Sequence, residues 1–339
     1  MSLPPVLARV TGRLGRITLN RPRAINALTT EMVRTVQHAL DLWAGSDRIR
    51  TVLITGAGER GLCAGGDIRA IHGDAVSGGT ASLDFWAEEY RLNARIAGYP
   101  KPVVAWMDGL VMGGGIGIAA HAAIRVVTDR SRLAMPEVGI GFHPDVGGSW
   151  LLGHAPGQVG VHLALTGAPI GAADALHAGL ADHYLPATRL AHLSAALAVG
   201  EAHQVVDALA EKAPPGELAD ARHWIDDCYA AATVPEILDR LRAHPDPAAR
   251  ATAEEIAGKS PTSLTVALRS VRTAPALPDL EAALAREYRL SAALLRSPDL
   301  AEGIRAQIID KDRNPRWSPA SLAEVRTADI DAYFEQEPQ

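Results

Sequence analysis

Apolar and polar residues alternate over residues 6–19 around Gly12 and Gly15, a period of two that predicts a strand, a glycine turn and a second strand. From Thr29 or Thr30 the period lengthens to that of a helix. Met32, Val33, Val36, Leu40 and Trp43 share one face, and a threonine is placed to cap it. Residues 51–55 and 102–106 are short apolar runs of the kind that lie wholly inside a sheet, and 124–127 is a third. A helix over 82–97 separates the first two, and a glycine-rich turn at 113–117 leads into another. Strands alternating with helices predict an α/β fold with a mostly parallel sheet covered on both faces.

Past residue 185 the texture changes. Ala, Leu, Glu and Arg dominate, and 190–198, 202–209, 234–243, 247–258 and 280–295 read as helices broken at Pro214-Pro215 and Pro245-Asp-Pro247. The expected division is a core with a ligand site over 1–190 and a helical region over 191–339.

Composition narrows the classes. Apolar residues make up 47% and aromatics only 4%, so the core must be packed from small aliphatic side chains. The net charge of −6 lacks the basic excess of a general nucleic-acid binder. Cys63 and Cys228 are too few for a disulfide framework, and no Cys-x-x-Cys pair suggests zinc. The N-terminus lacks a charged segment followed by an apolar one, and no apolar run is long enough to span a membrane. These observations lead us to expect a cytoplasmic protein.

Three segments could carry chemistry. Cys63-Ala-Gly-Gly-Asp67 and Met112-Gly-Gly-Gly-Ile-Gly117 both follow strands, at the carboxyl ends where open α/β sheets bind ligands. Glycine there lets backbone N–H groups approach a ligand closely. Each loop alone reads better as a tight turn that needs positive φ; two in equivalent places point to a shared anion-stabilising pocket. Gly115 to Ala120 also fits the G-x-G-x-x-A dinucleotide fingerprint, although a strand-and-helix round precedes it. The third segment places Glu137 and Asp145 eight residues apart in a Gly- and Pro-rich stretch that is otherwise apolar. A carboxylate in apolar surroundings suits general acid–base work; helix or turn capping is the alternative for both. His143, between them, reads as supporting, and Cys63 as a small packed side chain.

Taken together, Asn20-Arg-Pro-Arg-Ala-Ile-Asn-Ala-Leu28, Cys63-Ala-Gly-Gly-Asp67, Gly113-Gly-Gly115 and Met135-Pro-Glu137 resemble, in order and spacing, the enoyl-CoA hydratase/isomerase (crotonase) superfamily. The resemblance implies a crotonase-type (ClpP/crotonase) α/β core of repeated β–β–α turns, with a helical C-terminal region. It implies an oxyanion hole at the N–H groups of Gly66 and Gly114. Hydratases of the superfamily use two glutamates, one at the Glu137 position and one three residues after the middle glycine. Here that second position is Gly117, which cannot hold or activate water.

Glu88-Glu-Tyr-Arg-Leu-Asn93, Pro144-Asp-Val-Gly-Gly148, Leu163-Ala-Leu-Thr-Gly167, Ser260-Pro-Thr-Ser-Leu264, Glu287-Tyr-Arg-Leu-Ser291 and the segment 302–312 are similar to the acyl-CoA hydrolase branch that acts on 3-hydroxyisobutyryl-CoA. This implies hydrolysis of a short branched hydroxyacyl-CoA thioester, as in valine catabolism. Glu89, Gly114, Glu137 and Asp145 would contact substrate, with Glu137 and Asp145 catalytic. Arg23, Ala24, Ala64, Gly66, Asp67 and Ile68 would hold CoA, Arg23 being equally readable as a solvated cation. His143 departs from the apolar or aromatic residue more usual there, with an effect expected on acyl preference. No metal or redox cofactor is implied, CoA being part of the substrate. The implied partner is the acyl-CoA, with no nucleic acid or membrane, and with a trimer or hexamer by family analogy. The alternatives are an enoyl-CoA hydratase or isomerase, a nicotinamide-dependent oxidoreductase and a non-catalytic CoA binder.

Overall fold

A computed structural model describes residues 3–335. The chain divides into two compact units. One comprises residues up to 66 with 88–134 and 169–216; the other comprises 67–87 and 135–168 with everything from 217 onward.

The first unit is built on strands. The expected hairpin forms from β1 (Val6–Thr11) and β2 (Leu14–Leu19), with Gly12 in the turn at φ 57°. The chain then lays down β3 (Thr51–Gly56), β4 (Gly61–Cys63), β5 (Val103–Met107), β6 (Leu110–Met112), β7 (Ile124–Val127), β8 (Arg132–Ala134) and β9 (His183–Tyr184). The large sheet runs β1-β2-β3-β5-β7-β9 and is parallel beyond the hairpin; β4-β6-β8 form a second, smaller parallel sheet. Successive turns of chain therefore place one strand in each sheet, which is the repeated β–β–α architecture expected. Leu53, Val104, Trp106, Ile124 and Val126 of the large sheet pack with Leu193, Leu197 and Val206 from the helices Leu190–Leu197 and Ala202–Leu209. The helix Thr30–Ala44 is capped as expected, Met32 N donating to Thr29 Oγ1 at 3.3 Å.

The second unit is helical. At its centre Val159–Thr166 has all eight residues buried, and it packs against Gly148–Gly153, Leu218–Cys228, Pro247–Ala257 and Pro261–Thr273. The units follow a different division from the one expected at residue 190. Residues 135–168 lie ahead of that point in the sequence yet pack with the C-terminal helices, while 190–209 lie past it and cover the sheet. No helix among the described residues is long and apolar enough to cross a membrane.

Candidate active site

The glycine loops owe their position to strand register. β4 and β6 are parallel neighbours, Cys63 opposite Val111, so the residues that follow each strand emerge side by side. Leu28 N donates to Gly65 O at 2.8 Å and Ala64 N to Ile25 O at 3.0 Å, which ties the 22–28 segment to the first loop. Asn26 holds that segment from inside. It is buried at φ 55°, its Nδ2 donates to the carbonyls of Ala57, Gly61 and Leu62 at 3.0–3.1 Å, and its Oδ1 accepts from Arg21 N at 2.9 Å.

Gly114 is the first residue of the helix Gly114–Ala119, so its N–H has no carbonyl one turn earlier to bond. A Cβ built on it would stand 3.4 Å from Gly66 N and would collide with Oε1 of Glu89. Gly66, Gly114 and the Glu89 carboxylate are thus close neighbours, and only a glycine at 114 leaves them room. Glu89 lies in the helix Ala81–Ala97 and is 2% exposed. Burial pushes the Cys63 thiol up to about 12, and the Glu89 charge adds in the same direction, which leaves no thiolate to act as nucleophile.

Glu137 opens a tight turn, Glu137–Ile140, and its carbonyl accepts from Phe142 N at 3.0 Å. Asp145 follows, and its carbonyl accepts from Gly148 N at 2.6 Å. Their side chains are 6% and 5% exposed. Between Asp145 and the helix Gly148–Gly153, both Val146 (φ 53°) and Gly147 (φ 78°) are left-handed. For a β-branched residue this costs about 1–3 kcal/mol and persists only where the surroundings fix it.

The restraint comes from the helix Leu280–Leu294. Oε2 of Glu287 accepts from Gly147 N at 2.6 Å, and Oε1 accepts from Ser149 N at 3.0 Å and Ser149 Oγ at 2.5 Å. Glu287 is fully buried. Burial raises its pKa to about 8 and the charge of Asp145 adds to this, against the hydrogen bonds from Ser149 and Gly147. On the same helix, Arg286 Nη2 donates to Ser270 O at 2.7 Å and lies 3.4 Å from Ser149 Oγ. One turn further on, Ser291 Oγ lies 3.1 Å from Nε2 of His143. Burial, helped by the Arg286 charge, pushes the pKa of His143 down to about 3, so the ring is neutral.

The expected residues fall in both units. Gly66, Gly114 and Glu89 are brought together in the first, where Arg23 and Ala24 sit exposed on the segment tied to Ala64. Asp67, Ile68, Glu137 and Asp145 belong to the second. The helix after Asp145 has Gly147 as its N-cap residue and the turn at Glu137 has Pro136, neither with a side-chain cap of its own. The fingerprint at Gly115–Ala120 lies in a short, wholly buried helix after a strand of the smaller sheet, not at the opening of a βαβ unit. Among the described residues no group of three or more His, Cys, Asp or Glu is placed to hold a metal ion. Sequence reasoning gave no role to Asn26, Arg286, Glu287 or Ser291, although all but Arg286 stood inside quoted motifs.

The family model for enoyl-CoA hydratase/isomerase matches residues 14–334. The 3-hydroxyisobutyryl-CoA hydrolase, mitochondrial, of Danio rerio is 38% identical over 340 residues, covering 97% of this chain and 89% of that protein. The protein of the same name from Homo sapiens is 36% identical over 351 residues, covering 97% and 88%. Among solved structures, a carnitinyl-CoA dehydratase from Mycobacterium thermoresistibile is 52% identical with a TM-score of 0.95, covering 98% of this chain and 97% of that one. An enoyl-CoA hydratase from Rhodobacter sphaeroides 2.4.1 is 42% identical with a TM-score of 0.92 and the same coverage. The expected cytoplasmic placement is corrected by these names, since the curated relatives are called mitochondrial. Two free, buried cysteines fit any reducing compartment and never pointed to the cytoplasm in particular. By its sequence from residue 14 to 334 and by its fold, the chain belongs to the enoyl-CoA hydratase/isomerase family of crotonases.

Proposed function

We propose that this chain hydrolyses a short branched hydroxyacyl-CoA thioester, 3-hydroxyisobutyryl-CoA, to 3-hydroxyisobutyrate and CoA. The observation that carries this reading is an exchange of acids: glycine at 117, where hydratases hold their second glutamate, and a buried aspartate at 145. Adding water across a double bond needs two acids to orient and activate it. Cleaving a thioester needs a polarised carbonyl, a base and a proton for the departing thiolate. The near end-to-end similarity to hydrolases of that name supports the same choice.

The N–H groups of Gly66 and Gly114 take the thioester oxygen, where one such donor is worth about 2.7–4 kcal/mol of barrier. Glu137 drives attack on the carbonyl, either by activating water or by attacking directly to give a transient anhydride. Asp145 positions water or protonates the leaving sulfur, and Glu89 orients the substrate hydroxyl. CoA is held by Arg23, Ala24, Ala64, Gly66, Asp67 and Ile68, and the reaction needs no other cofactor. Assembly into trimers or pairs of trimers rests on family likeness and is read from the mass in solution.

The test is thiol release from 3-hydroxyisobutyryl-CoA. Glu137→Gln and Asp145→Asn should each lower turnover by orders of magnitude while CoA binding survives; unchanged rates in both sink the assignment. The two similar structures, a carnitinyl-CoA dehydratase and an enoyl-CoA hydratase, favour a second reading, hydration or dehydration of an acyl-CoA. Loss of enoyl-thioester absorbance without thiol release would establish that reading instead.

A further inference from the structure

We propose that Glu287 is a positioning residue for the thioester reaction: it locks the loop that carries Asp145 and thereby sets where the Asp145 carboxylate stands. The proposal rests on the reading of Asp145 as a catalytic acid or base.

The first N–H groups of a helix lack partners inside it and are normally satisfied by a Ser, Thr, Asp or Asn at the cap. The helix Gly148–Gly153 has glycine there, with no side chain to accept them. Glu287, 140 residues further along the chain, supplies the acceptors instead, one oxygen for Gly147 N and the other for Ser149 N and Oγ. A single side chain thus holds both sides of the loop's exit into the helix. The loop's entry is held from one turn along the same helix, where Ser291 Oγ meets His143 Nε2. Asp145 is the midpoint between these anchors, at 143 and 147.

What lies between the anchors is strained. Val146, next to Asp145, is a β-branched residue in a left-handed conformation. Released from Glu287, it would relax toward negative φ and turn the preceding peptide, which includes the Asp145 carbonyl bonded to Gly148 N. Asp145 would then leave its place without any change to its own chemistry. The placement of Glu287 fits this purpose. Complete burial of a carboxylate is costly, and a second carboxylate nearby makes it more so. A neutral Gln of the same length has one acceptor oxygen and would present its NH2 group to the backbone donor on the other side. Only a carboxyl group accepts at both backbone positions, the Ser149 hydroxyl bond being where a proton can reside.

The test compares Glu287→Gln with the wild-type chain. The expected result is a fall in kcat of about 100-fold, the size of effect that a displacement of about 1 Å in a catalytic group produces. KM for the acyl-CoA should stay within about threefold, and the amides of Gly147 and Ser149 should exchange with deuterated water at least tenfold faster. A merely structural role would loosen the fold and lower the active fraction without this combination. Ser149→Ala removes the hydroxyl bond and leaves both backbone bonds, so it should cost about tenfold in kcat at unchanged KM; it carries the test if the Gln variant does not fold. A folded Glu287→Gln protein with kcat within threefold of wild type overturns the proposal, as does an unchanged kcat in Ser149→Ala where the Gln variant is unfolded. The wild-type rate on 3-hydroxyisobutyryl-CoA tests the hydrolase reading, and the ratio of variant to wild type tests this one. If the wild-type chain instead turns over an enoyl-CoA, the same ratio is read on that reaction.

Discussion

Gly114→Ala tests the proposed oxyanion corner by adding one methyl group. That methyl would stand 3.2 Å from Leu28 Cδ1 and 3.4 Å from Gly66 N, and it would overlap Oε1 of Glu89. Leu28 can give by a few tenths of an ångström, but Glu89 must move. The backbone itself does not object: Gly114 is helical, and alanine favours a helix over glycine by about 1 kcal/mol. Folding should therefore survive, with the helix gain offsetting part of the displacement of Glu89. Catalysis should not. The methyl occupies space beside both N–H donors, and losing one donor costs about 2.7–4 kcal/mol, or about 10²–10³-fold in kcat. The assay is thiol release under saturating acyl-CoA, with the melting temperature measured on the same sample. Gly115→Ala is the contrasting control. Its methyl would press into the backbone of Cys63, so it should lower the melting temperature more than Gly114→Ala does. A folded Gly114→Ala protein with a third or more of the wild-type kcat refutes the assignment of this corner to the reacting oxygen.

Two further predictions concern stability. Asn26→Ala removes the side chain that bonds the carbonyls of Ala57, Gly61 and Leu62 and also leaves alanine at φ 55°. A loss of about 3 kcal/mol is expected from chemical unfolding, and a loss under 1 kcal/mol would contradict it. The second concerns pH. Burial raises the pKa of Glu287 from 4.5 to about 8, so the folded chain keeps a proton that the unfolded chain has released. Its stabilising contribution is full below about pH 4.5 and is lost as pH rises to about 8. Burial lowers the pKa of His143 from 6.5 to about 3, so the unfolded chain takes a proton that the folded chain refuses. That contribution is full above about pH 6.5 and is lost as pH falls toward 3. At about 1.36 kcal/mol per pH unit each limb can reach roughly 5 kcal/mol, and stability should be greatest between about pH 4.5 and 6.5. Glu287→Gln should flatten the alkaline limb in a series of melting temperatures; an unaltered limb would show that another group carries it.

Strong periodicity and explicit caps were readable in the sequence. The hairpin of β1 and β2 and the helix Thr30–Ala44 stand where alternation and Thr29 put them. The smaller sheet was not readable, because strands of three residues such as Gly61–Cys63 and Leu110–Met112 are too short to display a period. The helix Val159–Thr166 was hidden for the opposite reason: buried on every side, it has no polar face to set a rhythm. Pro261–Thr273 carried a legible signal that went unused, a Ser260 cap followed by proline at the first helical position. Within the candidate site, Gly66 and Gly114 stood out because two glycine loops follow strands in equivalent places, each alone being readable as a tight turn. Glu89 could be singled out only through the family motif, since an acid within an amphipathic helix looks solvated until its burial is known. Glu287 was invisible as an anchor because its partners lie 138 and 140 residues away.

The proposed exchange of an acid at 117 for one at 145 has a structural consequence that accounts for the reach of the motifs. A side chain at 117 would ride on the helix Gly114–Ala119, whose own hydrogen bonds fix its backbone. An acid at 145 rides instead on a loop beside a left-handed valine, its carbonyl accepting from Gly148 N. That loop is held from Glu287 and Ser291, one turn apart on the helix Leu280–Leu294. On the proposed reading of Asp145, moving the acid from helix to loop makes that C-terminal helix a requirement of the chemistry and not only of the fold. On this view the Glu287-Tyr-Arg-Leu-Ser291 and Pro144-Asp-Val-Gly-Gly148 motifs are two halves of one device. A chain with the aspartate but without the distant glutamate should keep its fold, loosen this loop and fail to place its acid.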